Sequence, residues 1–213
     1  MNTDDMVRML AANVAPVSRN QNARRYAIAL SAGLFGGALI LVPWLGVRPQ
    51  LAEDAQLALF WGRFGFVAML LAGGFYATMR LSRPGASVTG ASAIIAAPLV
   101  AMWIAALLML IEAAPDERMP LVLGSSWFVC PTNIAILSLP AFAAAFWAMR
   151  GLAPTRLRWA GAGAGLFAGA VGALVYTFYC PELAPPFLGV WYVLGMLIPA
   201  AVGALLGPRL LRW

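Results

Sequence analysis

Residues 125–150 read SSWFVCPTNIAILSLPAFAAAFWAMR. From Ser125 the stretch carries no charge until Arg150, and aromatic residues mark both of its ends. As a helix it is long enough to cross a hydrocarbon core of roughly 30 Å. Its middle is interrupted by Pro140, and near its start a Cys-Pro pair stands at Cys130 and Pro131. About fifty residues on, the second and last cysteine of the chain, Cys180, is again followed by a proline, Pro181. The reading of this stretch as a membrane span, with a thiol at one end, sets the reading of the rest.

Working outward, five further apolar spans are predicted: 26–44, 59–79, 91–111, 157–179 and 187–206, with the fourth at 127–149. The whole chain is 62% hydrophobic and 10% charged, where a soluble domain carries roughly a quarter charged residues. The expected fold is all-α: an integral membrane bundle of six transmembrane helices with a short cytoplasmic N-terminal amphipathic helix. Residues 1–25 form a polar segment and linker, and 26–213 form the transmembrane unit. No loop is long enough for another domain. The first apolar run lacks a small-residue cleavage site behind it, so it is expected to remain as a helix.

All 14 basic residues are arginine. Arg8, Arg19, Arg24, Arg25, Arg80, Arg83, Arg150, Arg156, Arg158, Arg209 and Arg212 fall on one side of the six spans; Arg48, Arg63 and Arg118 fall on the other. That asymmetry predicts a multi-pass membrane protein with both termini in the cytoplasm. It also explains the net charge of +6 as topology rather than a nucleic-acid footprint, so direct nucleic-acid binding is not expected. Trp44, Trp61, Trp127 and Trp191 are placed at the outer interface, and Trp147, Trp159 and Trp213 at the inner one.

The chain has no histidine, which removes the commonest general base and transition-metal ligand. Phosphate-loop, zinc-protease, serine-hydrolase and CxxC patterns are absent. No ionisable residue stands near the centre of a span, which argues against an ion-coupled transporter. No enzyme activity and no cofactor are expected.

Two places could carry function. From Cys130 to Arg150 is about 30 Å of helix, and from Arg158 to Cys180 about 33 Å. Both thiols therefore reach the outer interface at similar depth, on spans joined by a short inner loop. Free cysteine also serves as a small apolar packing residue; the matched depth, the shared Pro and the oxidising side favour a redox or thiol-binding pair. Asn133, one helical turn from Cys130, and Tyr176 and Glu182 near Cys180 complete a candidate pocket. Such a pocket could tune a thiolate or bind a soft metal ion at Cys130 and Cys180. Asn133 and Tyr176 equally suit plain interhelical packing. At the N-terminus, Asp4 and Asp5 suit the start of a helix, and Met6, Met9, Leu10 and Val14 fall on one face, which wants a partner. Gly161, Gly165, Gly169 and Ala173, with Gly203 and Gly207, form small-residue stripes for close helix packing.

Several of these residues, in order, carry a resemblance: Thr3-Asp4-Asp5-Met6 with Leu10, Trp127 to Pro131, Leu152-Ala153-Pro154-Thr155-Arg156, Tyr179-Cys180-Pro181-Glu182, Trp191-Tyr192 and Leu210-Leu211-Arg212-Trp213. Over nearly its whole length the chain resembles the NrsF-type anti-sigma factors. The resemblance implies that the N-terminal segment sequesters an extracytoplasmic-function sigma factor, and that Cys130 and Cys180 sense oxidative or thiol-reactive metal stress. A membrane thiol-disulfide oxidoreductase using the same cysteines is the alternative, followed by a small transporter.

Overall fold

The computed structural model describes residues 3–12, 21–83, 85, 89–152 and 154–212. The side chain of Leu10, together with Val14, Ala153 and Trp213, lies outside the described residues. The described chain is helical, with no strand. Its elements are α1 (Thr3–Ala12), α2 (Gln21–Trp44), the short α3 (Leu51–Asp54), α4 (Ala58–Leu81), α5 (Thr89–Glu112), α6 (Pro115–Leu123), α7 (Cys130–Leu137), α8 (Leu139–Arg150), α9 (Leu157–Tyr176), the single turn α10 (Pro185–Phe187), one π-helical turn (Leu188–Tyr192) and α11 (Val193–Leu210).

Five helical stretches are long and apolar enough to cross a membrane, and a sixth crossing exists if α7 and α8 form one span. That pair bends by 43° at the interruption that Pro140 marks in the predicted span over 127–149. The break has a local cause. Pro140 has no N–H to give the preceding turn, and Ser138 sits between the halves, its hydroxyl donating to the Ala135 carbonyl at 2.6 Å. Trp127 stands before the helix, which starts at Cys130. Pro98 and Pro199, by contrast, lie within continuous helices. The fifth span also stops early: α9 ends at Tyr176, and Cys180 lies in the turn beyond it. The loops around 51–54 and 115–123 contain α3 and α6.

α9 is the axis of the bundle and packs against α2, α4, α7, α8 and α11. Its seam with α11 is made by absent side chains. A Cβ on Gly161 would overlap the Gly203 carbonyl, and one on Gly165 the Pro199 carbonyl. Dispersion contacts between closely approaching backbones hold such a pair where lipid supplies no hydrophobic drive. α2 approaches the bend in the same way, Gly33 against Ala141 and Gly36 against Pro140.

The core divides into two clusters along the bundle axis. One gathers Tyr26, Ala29, Ala141, Ala145, Met149, Phe167 and Leu211. The Arg150 guanidinium donates to the Leu210 carbonyl at this end, at 3.1 Å. The start of α2 and the end of α11 meet here, so it is called the terminal end. The other cluster gathers Phe66, Val67, Leu70, Cys130, Ile134, Tyr176, Cys180, Phe187 and Tyr192. It is called the thiol end.

Candidate functional site

Cys130 opens α7 and Cys180 follows α9 by one turn, so the α7–α9 packing brings their ends together. Both thiols are free, and both are fully buried. They lie close enough to influence each other's ionisation. Both belong to one buried cluster at the same end of the bundle.

Tyrosines flank the thiols. Tyr176 and Tyr192 are both buried, their rings 5.9 Å apart. Neither hydroxyl closes a hydrogen bond of normal geometry among the described residues. Tyr192 is placed by the π-helical turn, whose extra residue rotates it inward; such turns recur at functional sites. Asn133 is buried one turn into α7, close enough to Tyr176 to act on its hydroxyl. Of the sequence-predicted pocket residues, Asn133 and Tyr176 thus join the thiols. The Glu182 carboxylate turns away and accepts from both the Ser125 N–H and the Ser125 hydroxyl, each at 2.7 Å.

That clasp closes the site. Gly124 takes φ +57° to make the turn, and the Glu182 carboxylate packs against it. The Trp191 indole N–H donates to the Val122 carbonyl at 2.8 Å, and its ring lies 5.3 Å from that of Trp127. The Ser126 hydroxyl reaches the Cys180 sulfur at 4.0 Å. Residues 122–127 therefore cover the thiols, with polar contacts at Val122, Ser125 and Ser126.

Arg63 is the residue the sequence reading placed as an outer topological charge and did not place in the site. It is 1% exposed. One terminal nitrogen donates to the Cys180 carbonyl at 2.8 Å and the Glu182 carbonyl at 3.0 Å; the other donates to the Thr177 carbonyl at 2.9 Å. The Thr177 carbonyl belongs to the C-cap of α9 and the Cys180 and Glu182 carbonyls to the segment just beyond it, and a cation there meets the negative pole of the helix. Its position four residues inside a predicted span was the available signal, because a charge within a span is retained only for a reason.

The electrostatics follow from this arrangement. The adjacent Cys130 thiol, the Glu182 backbone N–H, the Tyr192 hydroxyl and the nearby Arg63 guanidinium hold Cys180 below the usual thiol range, against the opposing effect of burial. A thiolate beside a neutral thiol can attack an oxidant or share a soft cation. No cluster of three or more ligating side chains occurs among the described residues, so a metal here would be held by the two sulfurs in low coordination.

The proposed sigma-binding residues stand on a different element from the thiols. Asp4, Asp5, Met6 and Met9 are on α1, exposed, with Met9 68% exposed. Every described side chain of α1 is exposed.

The chain matches the family model described as NrsF, negative regulator of sigma F, over residues 10–213. It is 50% identical over 213 residues to the probable anti-sigma-F factor NrsF of Azospira oryzae, spanning 100% of both chains. It is 37% identical over 215 residues to the anti-sigma-F factor NrsF of Caulobacter vibrioides, again spanning 100% of both. No solved structure matches the chain.

Proposed function

We propose, from the premise that this chain belongs to the NrsF family of negative regulators of sigma F, that it is a membrane anti-sigma factor which holds an extracytoplasmic-function sigma factor through residues 1–25 and releases it on a thiol event at the opposite end of the bundle. In this reading the terminal end faces the cytoplasm of a bacterium and the thiol end faces outward across the inner membrane, as the arginine distribution predicts. The sigma factor takes up the apolar side of α1, in the manner of a helix in a groove, with Met6, Met9 and Leu10 as anchors and Asp4 and Asp5 beside them. Cys130 and Cys180 are the sensor.

The observation that carries the sensing half is the burial of both thiols in one cluster with Tyr176 and Tyr192. A two-electron oxidant takes two electrons and two protons from the pair and leaves a disulfide; a soft metal ion would instead displace protons and bridge the sulfurs. The full burial of both thiols counts against the oxidoreductase alternative, since a dithiol substrate must reach a sulfur to exchange with it.

Two experiments test the halves separately. Full-length protein in detergent should retain a sigma factor from host lysate, identified by mass spectrometry, and a Met6→Asp/Met9→Asp/Leu10→Asp variant should not. Cys130→Ser and Cys180→Ser should each abolish stress-induced transcription; unchanged induction would remove the thiols from the account.

A further inference from the structure

A signal of this kind must cross the bundle, and the structure offers one continuous element with polar attachments at both ends. At the thiol end, Arg63 of α4 binds three carbonyls, and all three belong to the segment that carries Cys180. No ion pair to Arg63 occurs among the described residues, so these carbonyls and the Phe60 ring, 5.3 Å away, are what the buried guanidinium holds. Bonds from a charged donor in a low-dielectric interior are short, directional and costly to break. The Cys180 turn cannot move independently of α4 while they persist.

From Arg63, α4 runs on to Leu81 with no proline. Thr78 lies fifteen residues along, about 22 Å down the helix. There the second attachment is made. The Tyr26 hydroxyl of α2 meets the Ser82 hydroxyl and the Thr78 carbonyl, the latter at 3.4 Å. The Ser82 hydroxyl donates to the same carbonyl at 2.7 Å. Tyr26, Thr78 and Ser82 are all buried, Tyr26 at 1% exposed. Tyr26 stands in the second turn of α2, the helix into which the N-terminal segment leads. The other thiol-bearing element, α7, meets a 43° bend before it reaches this end.

We propose that α4 is the strut that carries the thiol event to the N-terminal segment, with Arg63 as the residue that senses the position of the Cys180 turn and Tyr26 as the residue that receives the movement on α2. This rests on the reading that Cys130 and Cys180 are the input and residues 1–25 the output. Coupling needs an element that both ends bias, and the two buried polar attachments supply it. Neither Arg63 nor Tyr26 touches the sigma factor in this scheme; both are positioning residues.

The test uses the full chain in cells with a sigma-dependent reporter, treated with diamide, which takes up two electrons and two protons as the two thiols become a disulfide. Two quantities are read in parallel: thiol state, by maleimide-polymer gel shift, and reporter induction, normalised to the amount of protein in the membrane. Tyr26→Phe removes one oxygen and keeps the ring that packs on Phe75, so it folds as the parent does. It should oxidise like the parent yet change the induction ratio by about five-fold or more. Arg63→Gln should oxidise more slowly, because the guanidinium no longer favours the Cys180 thiolate; compared at equal extent of oxidation it should change the induction ratio as Tyr26→Phe does, and the double variant should add little to either single one, because both lie on one path. Normal induction in Tyr26→Phe, with Cys130→Ser and Cys180→Ser silent, would overturn the strut and leave the sensing reading standing. Induction that survives in the cysteine variants would overturn both.

Discussion

Helices α9 and α5 invert the rule that governs soluble cores. α9 is built largely of Gly and Ala, yet 78% of its apolar window is buried inside the protein. α5 is rich in Leu, Ile, Met and Trp, yet only 17% of its window is buried. In water the second helix would be the core and the first a poor candidate for one. In a bilayer, lipid tails are as apolar as leucine, so hydrophobicity gives a side chain no reason to leave them. What gains by entering the bundle is a surface that lets backbones touch, and small residues provide it. Side-chain size therefore decides position, and apolarity decides only that the helix is in the membrane.

That contrast breaks most severely at the α9–α11 seam. Gly165→Leu would drive a side chain into the Pro199 carbonyl, and the helices must separate along their length to accept it. The expected loss is about 3 kcal/mol or more, seen as a collapse of membrane accumulation and of the melting temperature in detergent. The same leucine added at Gly62 of α4, where a Cβ meets nothing within 4 Å, should be accepted. Arg63→Met comes next. It leaves the Thr177, Cys180 and Glu182 carbonyls without their donor, and leaving buried acceptors unmet costs about 2 kcal/mol. The predicted observation is a lowered melting temperature with a shape-matched apolar side chain in place, which separates the lost bonds from lost packing. Trp191→Phe is milder: it removes the bond to Val122 and keeps most of the ring, at about 1 kcal/mol. Its larger effect should be kinetic. With residues 122–127 less firmly held, N-ethylmaleimide should react faster with Cys130 and Cys180, and an unaltered rate would mean that this cover does not limit access.

The difference between α9 and α5 also explains what could be read in the sequence. The spans were legible because membrane insertion depends on length and apolarity, both printed in the chain. The Gly161, Gly165, Gly169 stripe was legible because its four-residue spacing is the seam itself. The proximity of the thiols was legible through arithmetic on Cys130 to Arg150 and Arg158 to Cys180. The bend at Ser138 was half legible: Pro140 signalled it, but Pro98 and Pro199 signal the same and sit in continuous helices. Whether a proline breaks a helix depends on what its neighbours offer the freed carbonyls. Arg63 was misplaced because a topology count treats an arginine near a span end as solvated. Its three carbonyl partners come from residues more than a hundred positions away, and no local pattern announces them. Tyr192 depends on a π-helical turn, which has no composition of its own.

The smallest effect is the sharpest statement of the contrast. Leu107 lies on α5 and is 59% exposed, beside Trp103, Ile104 and Leu108, which are exposed with it. Removal of a leucine side chain from a water-soluble core costs about 2–5 kcal/mol. Leu107→Ala removes the same atoms from a face that meets lipid in both the assembled bundle and the separated helices. The transfer contribution cancels, and no cavity remains because acyl chains fill the space. The expected change is within about 0.5 kcal/mol, with no shift in melting temperature in detergent. A large loss would mean that this face is covered by protein rather than lipid. The helix whose composition most resembles a core would then be one, in an assembly larger than a single chain.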